Sequence, residues 1–147
     1  MHVRTLFALV CFLTIVPASI ILAEDVPPES MDEAPERTVS LTLRDGETLV
    51  FTGNVSLPDS DTATTSITAS DDTAAEALAA SALAALIIAD AASPDFSISN
   101  LQYFSSYGSF YTKCITHIVE KCDNWQYVVG DVYPSIGMDQ FLLHDGD

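Results

Sequence analysis

One run of residues constrains this chain more than any other. From residue 74 to about residue 91 it is dominated by alanine, with Leu78, Leu83, Leu86 and Ile87 supplying the bulk. Alanine heads the helix scale because it loses no side-chain entropy and buries no polar group. Thr73-Ala74-Ala75-Glu76 carries the capping-box pattern, in which the Thr side chain accepts the third helical amide and the Glu reaches back. The run therefore predicts one helix beginning at Ala74 and ended by Ser93-Pro94. Ser81 and Asp90 interrupt it, and its longest apolar stretch falls short of the roughly 20 residues a bilayer requires. Its expected role is to cover one face of a sheet.

The strands for that sheet are expected on both sides. Val39, Leu41 and Leu43 alternate with Ser40, Thr42 and Arg44, the period of a half-buried strand. Asp45-Gly46 then reads as a hairpin turn, because Gly accepts positive φ. Leu49 to Phe51 begins the return strand, which Val55 and Leu57 extend and Pro58-Asp59 ends. Residues 60–72 are rich in Ser, Thr and Asp without a core pattern, and predict an exposed loop whose hydroxyls could carry O-linked sugar. Beyond the helix, nine of the thirteen aromatic residues fall between Tyr103 and Phe141. Strands are expected near Phe96, Ile98 and Leu101, on both sides of a turn at Gly108, over residues 125–129, and over residues 141–143.

The N-terminus reads as targeting rather than structure. His2 and Arg4 precede an apolar run that ends Ile21-Leu22-Ala23 before Glu24-Asp25. This is the pattern of a secretory signal peptide over residues 1–23, with Ala18 as an alternative cleavage site and a membrane anchor as the rival reading. Residues 24–37 are rich in Glu, Asp and Pro and predict a disordered acidic leader. Residues 38–147 then form one domain. The net charge is −16, and becomes −17 once Arg4 leaves with the signal. Such a surface repels nucleic-acid phosphates and anionic membranes, so neither is an expected partner of the secreted chain.

Cys11 also leaves with the signal, and the remaining pair, Cys114 and Cys122, reads as a disulfide in an oxidising compartment. The competing readings are weaker. A metal site would have only His117 between the thiols and His144 beyond, and redox catalysis favours closer spacing. Asn54-Val55-Ser56 is a glycosylation sequon.

Three stretches carry a family likeness: Tyr107-Gly108, the run Cys122-Asp123-Asn124-Trp125-Gln126-Tyr127-Val128-Val129-Gly130, and Gly137 through Asp145-Gly146-Asp147. Together with the early hairpin and Thr-capped helix, they resemble the transcobalamin-like C-terminal domain family over about residues 38–147. The resemblance implies a small α+β fold of β-grasp character, a mixed sheet packed on one Ala-rich helix, here with one disulfide. It also implies ligand contact through the aromatic strand, which in cobalamin carriers closes over the ligand as a lid. The family usually continues into one more strand, so either a strand follows Asp147 or the sheet has an exposed edge.

Catalytic patterns are missing from the sequence. It has no Gly-x-Ser-x-Gly elbow, phosphate loop, dinucleotide fingerprint or zinc spacing. His117 and His144 read as exposed loop residues. Glu120, Asp123, Asp131 and Asp139 offer carboxylates without evidence of a paired cleft. Asp145-Gly146-Asp147 reads as a turn, since an EF-hand needs a full loop and a final Glu. No enzymatic activity, cofactor or metal is therefore expected. The candidate ligand-binding residues are Tyr107, Trp125, Gln126, Tyr127 and Tyr133, beside Tyr103 and Tyr111. Flat rings with polar tips suit a small molecule, a glycan or a partner protein, and equally suit a core. On a strand, Trp125 and Tyr127 would share one face and Gln126 the other. The expected function is a secreted, non-enzymatic binding or surface module. A structural or adhesive protein and a cobalamin-type binder are the alternatives.

Overall fold

The computed structural model describes residues 35–147. The expected signal peptide and most of the expected leader lie outside the described residues.

The first hairpin forms as its alternation predicts. Strand β1 (Glu36–Asp45) pairs antiparallel with β2 (Thr48–Pro58), closing at Asp45 and Thr48 around Gly46, whose φ is +60°. Val39, Leu43, Val55 and Leu57 are buried, and Val39 pairs directly with Val55. Arg37, at the boundary of the expected leader, is buried instead. Its Nη1 donates to Leu143 O at 2.6 Å, and its Nη2 to Asp59 and Asp61 at 2.8 and 3.0 Å. Those carboxylates, Asp61 first, raise the guanidinium pKa above its ordinary value.

The next two elements correct the sequence reading. The expected loop over residues 60–72 contains β3 (Thr64–Thr68), and the expected first turns of the helix are instead β4 (Ala74–Leu78). The two pair antiparallel, with Ile67 opposite Ala75 and Ser66 opposite Glu76. Alanine's helix preference is a weak local term, and β-branched Thr64, Thr65 and Thr68 offer it a ladder instead. Ile67 and Ala77 are buried by this pairing.

The helix α1 (Ala82–Ala92) is accordingly short, and the capping box at Thr73 is unused. Its N-cap is Ser81, at φ −90° and ψ 163°, whose Oγ accepts the Ala84 N–H at 3.1 Å. The Ala82 and Leu83 amides are taken by Phe141 O at 3.1 Å and Met138 O at 3.0 Å. Every amide of the first turn therefore has an acceptor, two of them supplied from far along the chain. The helix ends at Ser93, just before Pro94 as expected.

Strands β5 (Ser97–Phe104), β6 (Ser109–Thr116) and β7 (Glu120–Cys122) form a third antiparallel sheet in that order. Gly108, at φ +59°, makes the turn between β5 and β6. Cys114 and Cys122 lie opposite each other on β6 and β7 and form the disulfide. The strands expected over residues 125–129 and 141–143 do not form. Each stretch contributes one isolated bridge, Val129 with Val132 and Leu142 with Ser81. The aromatic alternation there serves packing, with no neighbouring strand to complete a ladder.

The β-grasp expectation fails on this topology. In place of a mixed sheet laid on a helix, the described residues form three small antiparallel sheets of two, two and three strands, with one short helix. The cause is the helix itself, which is buried on more than one side over most of its length. Leu83 packs with Ile67, Ala77, Leu101 and Phe110, while Ala85, Leu86 and Ala89 pack with Val39, Leu57, Phe96 and Ile115. Small alanine side chains let separate sheets close on it from different directions. The Asp145-Gly146-Asp147 turn bonds to the outer edge of β1 at two backbone positions. Ser40 N donates to Asp147 O at 2.7 Å, and Gly146 N to Thr38 O at 3.0 Å. Among the described residues, no helix is long and apolar enough to cross a membrane.

Candidate functional site

Beyond Cys122 the chain turns sharply. Asp123 and Asn124 adopt left-handed φ values of 63° and 60°, a region that short polar side chains tolerate better than most. Asp123 N donates to Lys113 O at 2.7 Å and holds the turn against β6. Residues 125–128 then run without a ladder alongside β1, Trp125 near the Asp45-Gly46 turn and Tyr127 and Val128 near Leu41.

This segment is fixed through its rings. Trp125 Nε1 donates to Lys121 O at 2.9 Å, and the Lys121 ammonium pairs with Asp45 at the hairpin turn. The Tyr127 hydroxyl donates to Ile136 O, and its ring meets Phe141 edge-on at 6.1 Å. Burial, and secondarily the charge of Asp139, raises the Tyr127 pKa above its ordinary value of 10.0. Both rings are half-buried while Gln126 is exposed, so the expected alternation persists without a sheet.

Between this segment, β1 and β6 lies a cleft of about 620 Å³. Leu41, Leu43, Tyr111, Trp125, Tyr127 and Met138 supply most of its apolar wall. Its polar lining includes Thr42, Arg44, Gln126 and Thr112, whose buried Oγ1 has no hydrogen-bond partner. The volume lies in the range of small-molecule sites, which run from roughly 300 to 1,000 Å³.

The structure therefore brings together three of the five candidate residues. Trp125, Gln126 and Tyr127 line the cleft. Tyr107 is 80% exposed on the β5–β6 turn, and Tyr133 is 69% exposed beyond the Val129–Val132 bridge. Neither lines the cleft. Sequence reasoning missed Leu41, Leu43, Arg44 and Met138. The alternation of β1 marked the two leucines as inward-facing, but nothing local tied them to residues so distant in sequence.

The remaining candidates sit elsewhere. Neither His117 nor His144 lines the cleft. Asp139 is buried and accepts a hydrogen bond from Ser109 Oγ at 2.6 Å, whereas Glu120, Asp123 and Asp131 are exposed. Asp145-Gly146-Asp147 is a turn: Asp145 accepts the Thr38 N–H at 2.9 Å and Asp147 the His144 N–H at 2.7 Å. Cys114, Glu120 and Cys122 lie close enough to suggest a metal, but the two sulfurs are bonded to each other. Asn54 is exposed on β2, opposite Ser40. In comparison with known proteins, the chain matches no family model, no curated protein and no solved structure. Its function has to be argued from the cleft.

Proposed function

We propose that this chain is an exported, non-enzymatic binding module that holds a small ligand in the cleft between β1 and residues 125–128. The observation that carries this reading is a cleft of about 620 Å³ walled by the only tryptophan, half-buried Tyr127 and the inner face of the first hairpin. Aromatic and aliphatic walls with a few polar groups are the ordinary make-up of ligand sites. Export is supported by the apolar run ending at Ala23 and by a disulfide suited to an oxidising compartment. Exposed Asn54 would carry the glycan of an exported chain.

The test is Trp125 fluorescence of the purified chain, titrated with straight-chain amphiphiles, a neutral glycan panel, cobinamide and cobalamin. The last two belong in the panel because of the resemblance to the transcobalamin-like family. A saturable change with any one ligand is expected. A blue-shifted spectrum that none of them perturbs would overturn the reading and return Trp125 to the core.

A further inference from the structure

The cleft has a charge pattern unlike the rest of the chain. The protein carries 21 Asp and Glu against five Lys and Arg, yet among the described residues no carboxylate lines the cleft. Asp139 is buried and tied to Ser109, and Asp45 beside the rim is paired with Lys121. The cations of the described residues are also mostly committed. Arg37 is held by Asp59 and Asp61, and Lys121 by Asp45. Lys113 has no ion pair but does not line the cleft. Arg44 alone, among the described cations, both lines the cleft and makes no ion pair. It sits at the end of β1, where the cleft meets a second hollow of about 340 Å³ that shares Arg44 and Trp125 with it; the carboxylates there are Asp45, paired with Lys121, and exposed Asp123.

The geometry points to a monoanionic amphiphile as the occupant: an apolar body between Trp125, Tyr127 and Leu43, with its carboxylate or sulfonate at Arg44. This rests on the cleft being the binding site, as proposed above, and goes further by fixing the ligand's charge. A guanidinium offers a fork of donors matched to such an oxyanion. The uncharged apolar walls exclude a second charge, because burying one without a partner is costly. The strongly negative surface elsewhere repels the same ligand, which confines it to this one place.

Three ten-carbon probes, each below its micelle concentration, test this on Trp125 fluorescence: decanoate, decanol and decyltrimethylammonium. Decanoate is expected to bind at least about tenfold tighter than decanol, the scale of one charge-assisted hydrogen bond. Decyltrimethylammonium is expected to bind no better than decanol. Arg44→Gln should bring decanoate to the level of decanol, abolishing the preference for the anion. Equal binding of all three, or preference for the cation, would overturn the anion assignment and leave the cleft standing as a binding site. Failure of every ligand, these probes included, to move Trp125 would overturn the binding site itself. A concentration-dependent change in Trp125 without any probe would assign the cleft to a second copy of the chain, which also overturns the proposal.

Discussion

Ser81 decides where the helix begins. It is fully buried, its Oγ accepts the Ala84 amide, and its own amide donates to Leu78 O at 3.2 Å. Ser81→Ala removes the acceptor and strands a buried N–H, which should cost about 1–2 kcal/mol in urea denaturation. Thr73→Ala and Glu76→Ala should each leave the midpoint nearly unchanged, because both residues are exposed and cap nothing. In the sequence Ser81 shows only as a polar break inside an alanine run, not as a helix start. The capping box won the local reading because it matches a stronger pattern, and only the pairing with Thr64–Thr68 disqualifies it. Among site residues, Trp125, Gln126 and Tyr127 were legible because one short aromatic segment contains them all. Arg44 was not, because only the fold places it beside Trp125.

At the scale of elements, β7 is the smallest part with the largest charge of work. Only three residues long, it anchors the Trp125 indole through Lys121 O and the hairpin turn through the Lys121–Asp45 pair. The disulfide to Cys114 holds it in place. Replacing both cysteines with alanine should cost about 2–3 kcal/mol by loop entropy. The same variant should red-shift Trp125 emission as its wall loosens, which fluorescence and thermal unfolding together would measure. The pair was predictable because oxidised cysteines come in even numbers. The first hairpin was predictable for a different reason: its alternation and its turn signal agree. The β3–β4 hairpin was hidden because Thr, Ser and Ala carry little hydrophobic contrast, so period two and period 3.6 look alike there. Residues 125–128 misled in the opposite way. Their alternation is real, but a ladder also needs a neighbour, and no local signal reports one.

For the whole molecule, a net charge of −16 means that folding gathers like charges together. Salt should therefore raise the thermal midpoint. The screening length falls from about 30 Å at 0.01 M to about 8 Å at 0.15 M, so most of the rise should come within that range. A flat response would show that the acids are already far enough apart in the folded chain. The separate sheets also bear on when the protein becomes whole. The first two amides of α1 bond to Met138 and Phe141, and the edge of β1 bonds to Gly146 and Asp147. On a ribosome, which releases residues in order, the first hairpin and the alanine run emerge long before those partners. The helix can be sketched early but not sealed, so the native state is reached only after synthesis has run almost to Asp147, and a chain interrupted before Met138 is left with two amides of its central helix unpaired and its apolar faces bare.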